Sequence, residues 1–465
     1  MKSRNSKNKK VYIVGIEGAG TSALAQLYKK MGYDVSGSDN GDHFYQRVLK
    51  GKGIKVFNEF KKSNIPTDVD FAVRSTAFRD DNLEIAEIKK RNILLLDYPQ
   101  ALGQLFNEKM GIAVCGTHGK TTTTALLGKA FELAGIDPTV LVGSNVIDWE
   151  SNVLTGQGEY FAAEADEYQN KLIYYNPWSA ILTSVDWDHP DFFPNFSEYK
   201  QVFRDFVAKL PKTGFLIVWG DSSDTLDVST SANCKVLTFG FSEDCDYKIS
   251  NQQSVDGDQE KIQQFEIFYK EESLGVFETS LVGKHNILNA GSVIALCHQM
   301  QLDLQKVKIA LKNFKGATRR FEKIGTFKEA ILIDDYAHHP DEIQATLRGA
   351  RQIFGENKRI WTVFHPHTFT RTKALLSEFA QSFDDTDKAI IIDIYGSARE
   401  QQGGVSSNDL VELINTYNRD KAEYIPTIEE TVEYLREKSG QYDILITMGA
   451  GDVWKIGDKL KNLPC

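Results

Sequence analysis

The sequence predicts an α/β protein of three domains, and three observations predict it. Its 465 residues exceed what one hydrophobic core usually organises. Short apolar runs of strand length alternate with segments of helical periodicity through most of the chain, the signature of helices layered on mostly parallel sheets. Glycine-, acid- and histidine-rich loops stand where strands end, the places at which such sheets bind ligands.

The first block is expected over 1–110. Val11–Val14 reads as a strand, followed by a glycine loop and a helix from about Ser22 to Met31, stopped by Gly32. Val35–Ser38 and Phe71–Arg74 read as further strands. The loop Gly15-Ile16-Glu17-Gly18-Ala19-Gly20 places glycines where backbone amides approach an anion. Asp39 lies where an acid reaches a ribose hydroxyl. This pattern suits a dinucleotide or the diphosphate of a nucleotide sugar, and also a turn serving helix–strand packing alone.

The second block is expected over 111–321. The strand Ile112–Cys115 enters Gly116-Thr117-His118-Gly119-Lys120-Thr121-Thr122, and a helix leaves it, ending near Ala134 with Gly135 as C-cap. Backbone amides and the helix N-terminus there favour an anion, Lys120 reaches outer phosphates, and the Thr121 hydroxyl suits Mg²⁺. Tyr160–Ala163, Ala180–Ser184 and Phe215–Trp219 read as strands, with a two-stranded segment between Lys261 and Leu281 and a helix from about Ile287 to Met300. Glu164 and His189 follow two of these strands and are candidate metal ligands, with helix capping and loop packing as the plainer alternatives. Lys284-His285-Asn286-Ile287-Leu288-Asn289 opens the last helix, and Arg319-Arg320-Phe321 marks the boundary, where arginines reach phosphates.

The third block is expected over 322–465, with strands Ala330–Ile333, Ile360–Phe364, Ala389–Ile394 and Ile444–Thr447. Asp334-Asp335-Tyr336-Ala337-His338-His339-Pro340 follows the first and His365-Pro366-His367-Thr368-Phe369-Thr370-Arg371 the second. These loops hold four of the nine histidines and suit a carboxylate or phosphate, or alternatively zinc. Capping and packing account for one or two of the four.

Composition limits the function classes. Hydrophobic residues make up 41% and charged ones 25%, ordinary for a globular protein. The net charge of −10 argues against broad binding to nucleic acid or anionic membrane. No stretch approaches the roughly 20 apolar residues of a membrane span. The basic start, MKSRNSKNKK, reads as a solvated tail, and five scattered cysteines give no disulfide framework, so a cytoplasmic location is expected. Oligomeric state is not legible.

In order along the chain, Gly-Thr-His-Gly-Lys-Thr-Thr-Thr-Thr (116–124), Ala-Glu-Ala-Asp-Glu (163–167), Asp-His-Pro-Asp (188–191), His-Asn-x-x-Asn-Ala (285–290), Arg-Arg-Phe (319–321), Asp-Asp-Tyr-Ala-His-His-Pro (334–340), Pro-His-Thr-Phe-Thr-Arg-Thr (366–372) and Gly-Ala-Gly (449–451) resemble the Mur ligases over nearly the whole sequence. The resemblance implies a Rossmann-like N-terminal domain for a UDP-sugar, a central P-loop ATPase and a Rossmann-like C-terminal domain closing over ATP and an amino acid. It implies an ATP- and Mg²⁺-dependent ligase of peptidoglycan precursor synthesis, joining the carboxylate of UDP-N-acetylmuramate to L-alanine through an acyl phosphate, with no nucleic-acid partner and no membrane insertion. Carried over, Gly18, Ala19, Gly20, Asp39, Ser75 and Thr76 serve the UDP-sugar. Residues Gly116 to Thr122 hold the phosphates, with Thr121, Glu164 and His189 on the metals. His285 and Asn289 hold adenine, Asp335 the ribose, and Arg320 faces the terminal phosphate. Tyr336, His338 and Arg371 surround the amino acid, with His338 as base. Some alanine-adding members carry Arg where this chain has Thr368, which leaves Arg371 to bind the carboxylate. Phe203 stands where other members carry a carbamylated lysine. Closure about hinges near 110 and 322 is expected before chemistry.

Overall fold

The structure is a computed structural model that describes residues 9–40, 44–190, 192–256, 261–396 and 403–463. Most of the basic tail and Asp191 lie outside the described residues.

Three sheets succeed one another along the chain. The first has five parallel strands in the spatial order Lys55–Phe57, Asp34–Ser38, Lys10–Val14, Phe71–Arg74, Leu94–Asp97. From Val11 on, its central strand is apolar because both faces are covered. Val11 and Ile13 pack with Leu24 and Ala25, and Tyr12 and Val14 with Ile85 and Ile88. Strand order reverses at this strand, so its carboxyl end opens a crevice.

The second sheet has ten strands. Its parallel part runs from Tyr247–Asp256 through Lys235–Gly240, Phe215–Trp219, Ser179–Leu182, Met110–Cys115 and Tyr160–Glu164 to Thr139–Val146. Ser151–Leu154 adds antiparallel at one edge, and Lys261–Tyr269 with Glu272–Thr279 at the other, turning at Lys270–Glu271. The helix Lys120–Ala134 packs Leu126, Leu127, Ala130 and Phe131 against Ile112 and Val114. On the other face Ala113 and Cys115 share a core with Leu102, Phe106, Ala23 and Leu27 of the first domain. A buried polar seam reinforces that junction. Gln26 donates to Asn152 Oδ1 at 3.0 Å, Ser151 donates to Gln26 Oε1 at 2.8 Å, and Asn152 donates to Ala19 O at 2.6 Å.

The third sheet has six strands in the order Glu322–Phe327, Ala330–Asp335, Ile444–Met448, Ile360–Phe364, Lys388–Ile391, Ala422–Tyr424. Only Glu322–Phe327 is antiparallel. Two cores of its own cover its faces. The connector before it is fixed to the second domain as far as Thr318, whose amide donates to Asn145 O at 2.8 Å. Beyond it, Arg319 and Phe321 take left-handed φ of +60° and +52°. Among the described residues no helix is long and apolar enough to cross a membrane.

Candidate active site at the junction of three domains

The loop after Met110–Cys115 needs its glycines. Gly119 has φ +79°, and a Cβ there would lie 2.5 Å from Asn289 Oδ1. Gly116 has φ +129°, and a Cβ would meet Thr183 Oγ1 at 2.3 Å. The loop folds against the neighbouring strand end, with Thr117 N donating to Ser184 O at 3.1 Å and His118 N to Ser184 Oγ at 3.0 Å. Lys120 curls back over it, donating to Thr117 O at 3.1 Å and to Glu167 Oε2 at 2.9 Å. Burial works against its charge, but Glu167, Asp166 and Glu164 prevail and keep the ammonium protonated.

Thr121 donates to Glu164 Oε1 at 3.0 Å and accepts from Arg320 Nη2 at 3.1 Å. The other Glu164 oxygen accepts from Gly143 N at 2.7 Å. His189 stands with a different pair of acids. Its Nε2 lies 3.7 Å from Glu167 Oε1, and its ligand atom clusters with those of Asp166 and Glu167. Thr121 with Glu164, and His189 with Glu167, thus form two oxygen-rich groups on either side of Lys120.

At the connector into the third domain, Arg319 and Arg320 both lie over the Tyr336 ring, with guanidinium carbons 5.0 and 5.2 Å from its centroid. The left-handed residues flanking Arg320 turn it toward the P-loop while Arg319 binds Asp334 at 2.9 Å and Gly449 O at 2.6 Å. Asp335 accepts from Phe321 N and Ala337 N, both at 2.7 Å, and burial lifts its carboxyl to about 6. His338 donates through Nδ1 to Tyr336 O at 3.0 Å, which leaves Nε2 as acceptor. Burial lowers its pKa to about 4. Arg371, only 4% exposed, donates to Asp188 Oδ1 from Nε at 3.1 Å and from Nη2 at 2.8 Å. Burial opposes the Asp188 charge, but Arg371 and the histidines hold it well below the usual carboxylate range.

In the first domain the helix Ala19–Lys30 starts inside the glycine loop, three residues before the predicted start, because Gly18 already has N-cap geometry. Gly20 lies against Tyr98, where a Cβ would be 2.3 Å from the ring. Asp39 accepts from Glu17 N at 2.8 Å and so holds the loop itself.

Three cavities meet here. One of about 340 Å³ lies between the second and third domains, lined by Gly119, Thr122, His285, Asn289, Arg320 and Asp335 among others. A second, of about 260 Å³, is walled by Ala19, Phe44, Tyr45, Tyr336 and Trp454 and floored by Thr121, Glu164 and Arg320. A third, of about 270 Å³, runs along Gly18, Ala19, Gly20, Ser75 and Thr76 to Lys120 and Glu164.

Comparison with known proteins decides the family. Residues 10–110 match the profile of the Mur ligase family, catalytic domain, residues 114–297 the Mur ligase middle domain, and residues 319–451 the Mur ligase, glutamate ligase domain. The chain belongs to the Mur ligase family. A relative from Desulfitobacterium hafniense, named UDP-N-acetylmuramate–L-alanine ligase, is 40% identical over 97% of this chain and 99% of its own. One of the same name from Caldanaerobacter subterraneus is 38% identical over 97% of each chain. The crystal structure of UDP-N-acetylmuramate-alanine ligase from Thermotoga maritima superposes with a TM-score of 0.81 at 25% identity, covering 97% of this chain and 98% of that one. The three-domain α/β Mur ligase fold is therefore the fold of this chain.

Sequence reasoning missed several groups that this Mur ligase site contains. Glu342 accepts from His118 Nδ1 at 3.1 Å and from His338 N at 3.1 Å. Burial opposes its charge, but His338, His118 and Arg320 hold it ionised. Tyr199 donates to Glu167 Oε1 at 2.9 Å, and its neighbour Phe203 is fully buried, with ring centroids 5.3 Å apart. Glu342 and Tyr199 stand inside amphipathic helices, where nothing in the spacing separates them from surface or core residues. Of the four histidines in the third block, His339 caps the helix Pro340–Phe354, and His367 stacks on Tyr395 with centroids 5.4 Å apart.

Proposed function

We infer that this Mur ligase forms the amide bond between the carboxylate of UDP-N-acetylmuramate and the amino group of L-alanine at the expense of ATP, in peptidoglycan precursor synthesis. The observation that carries the reading is the convergence of Lys120, Thr121 and Glu164 with Arg320 of the connector into the third domain, where the three cavities meet. The names of the two relatives supply the substrates.

The assignment of residues and domains is our proposal, with limits of 1–110, 111–321 and 322–465. ATP takes the larger cavity, its adenine near His285 and Asn289, its ribose near Asp335 and its phosphates on 116–122. The UDP-sugar takes the cavity along Gly18, Ala19, Gly20, Ser75 and Thr76, while Asp39 shapes that loop from behind. The oxygens of Thr121 and Glu164, 3.0 Å apart beside the P-loop, fit Mg²⁺, with His189 and its acidic neighbours as a second holding point. Bound there, the ion supplies charge neutralisation on the phosphates.

A carboxylate resists attack by an amine, and accepting the γ-phosphoryl group makes it an acyl phosphate with a good leaving group. Lys120 and Arg320 neutralise charge on the transferring group. The amine must then arrive unprotonated, and its reference pKa is about 8. His338, held near 4, is poorly matched to take that proton. Its free Nε2 is suited instead to accept a hydrogen bond from the amine and orient it. Arg371 binds the amino-acid carboxylate when it yields Asp188, and closure of the third domain excludes water from the acyl phosphate. Dependence on ATP and a nucleotide sugar supports a cytoplasmic location.

The test is phosphate release from ATP with Mg²⁺ and UDP-N-acetylmuramate, scanning single amino acids and a tripeptide. Release requiring both the sugar and L-alanine is expected. Release only with the tripeptide would reassign the acceptor, and none with any acceptor would overturn the reading.

A further inference from the structure

Beside the nucleotide cavity stands a cluster of donors that the ligase chemistry leaves unused. His118 Nδ1 lies 3.1 Å from Glu342 Oε1. A carboxylate only accepts, so Nδ1 carries the hydrogen, and neutral imidazole then presents a lone pair on Nε2. That Nε2 is buried and has no hydrogen-bond partner, the Asp186 carboxylate standing off at 3.7 Å. His339, 6% exposed, places its ring 5.0 Å from His118. Its Nδ1 accepts from Asp341 N at 3.4 Å in the helix cap and lies 3.4 Å from Asp341 Oδ2, so an ion bound by this ring displaces the cap; the Asp341 side chain is 68% exposed and free to turn. One ligand atom from each of His118, His339 and Asp341 falls within 4.8 Å of the others.

We propose that His118, His339 and Asp341 form an inhibitory site for a borderline transition-metal ion of the Zn²⁺ class, distinct from the Mg²⁺ position. Two imidazoles and one carboxylate are the donor set of zinc and its neighbours rather than of Mg²⁺, whose ligands are mainly oxygen. Ligand bonds of about 2.0–2.2 Å require the cluster to contract by about 1 Å, through rotation of the exposed Asp341 and of the His339 ring. Glu342 behind His118 supplies the outer carboxylate that zinc-bound histidines characteristically have. His118 belongs to the P-loop, and His339 and Asp341 to the start of the helix Pro340–Phe354, so a bound ion staples the second domain to the third. His118 and Asp341 also line the cavity assigned to ATP, so the ion and the nucleotide exclude each other. This last step rests on the nucleotide reading above.

The experiment uses the full chain without nucleotide, titrated with Zn²⁺ against a chelating dye. His339→Asn retains a helix cap while losing the imidazole, and Asp341→Asn keeps the shape of the carboxylate. Thermal melts verify that both are folded. One zinc per chain is expected in the unmodified protein, with at least tenfold weaker binding in each variant. At free Zn²⁺ held constant by a metal buffer, inhibition of phosphate release is expected to be competitive with ATP, and His339→Asn should need at least tenfold more zinc for the same fractional inhibition. Unchanged zinc affinity in both variants would place the ion elsewhere and overturn the proposal, as would no binding at all. Weaker binding in the variants without ATP competition would uphold the metal site and instead overturn the placing of ATP in that cavity.

Discussion

Lys120 and Glu167 are nearly out of water, with side chains 13% and 1% exposed, and each needs the other. Lys120→Ala should abolish phosphate release and also cost about 3–5 kcal/mol, because it strands a buried carboxylate. Adding Glu167→Gln to Lys120→Ala should recover most of the melting temperature and none of the activity. Calorimetry and the phosphate assay separate the two losses. The same scale sets the acid limit. Burial lowers His365 and His338 to about 4, below the unfolded value of about 6.5. Between these values the unfolded chain binds more protons, so the stability these residues contribute is full above pH 6.5 and falls toward pH 4. Asp335, raised to about 6, runs the other way and offsets part of the loss. Urea midpoints should decline between pH 7 and pH 4.5, and His365→Phe should flatten the decline. Lys120, Thr121 and Arg320 were legible in the sequence because loop chemistry marks them. Asp188 was legible only as part of a motif. Its partner Arg371 lies 183 residues away, and no local spacing encodes that pairing.

The strand–loop–helix unit built on Met110–Cys115 and Lys120–Ala134 is the element on which the site depends. Gly119→Ala should leave the sheet intact but force the left-handed loop against Asn289, whose Oδ1 would lie 2.5 Å from the new Cβ. Phosphate release should fall by more than about a hundredfold while far-ultraviolet circular dichroism stays unchanged. Strands buried on both faces were readable as apolar runs. Apart from the interior parallel strand Lys235–Gly240, those the reading omitted are edge or mixed strands. Lys55–Phe57 and Ala422–Tyr424 have three residues each, and Tyr247–Asp256 reads Tyr-Lys-Ile-Ser-Asn-Gln-Gln-Ser-Val-Asp, a polar run that its sheet neighbours hold in place. The helix opened by Lys284 starts three residues before the predicted Ile287, because Gly283 sets the turn.

At the scale of the molecule, the first and second domains share one hydrophobic core and a buried amide seam, whereas the third has cores of its own. That argues against a hinge near residue 110 and for one at Arg319–Phe321, where backbone bonds to the second domain end and φ turns left-handed. With paired dyes on Lys52→Cys and Lys270→Cys, energy transfer should not change when a non-hydrolysable ATP analogue and UDP-N-acetylmuramate bind. With dyes on Lys270→Cys and Glu433→Cys it should change, and a change in the first pair would refute the single hinge.

The contact between Arg320 and Thr121 closes a loop of 199 residues. A ribosome adding about 5–20 residues per second needs about 10–40 s to cover that distance. Throughout that interval the nascent P-loop lacks the guanidinium that would act on a terminal phosphate. On the proposed role of Arg320, unfinished or prematurely released copies should turn over no ATP, and the order of synthesis would itself guard against futile turnover.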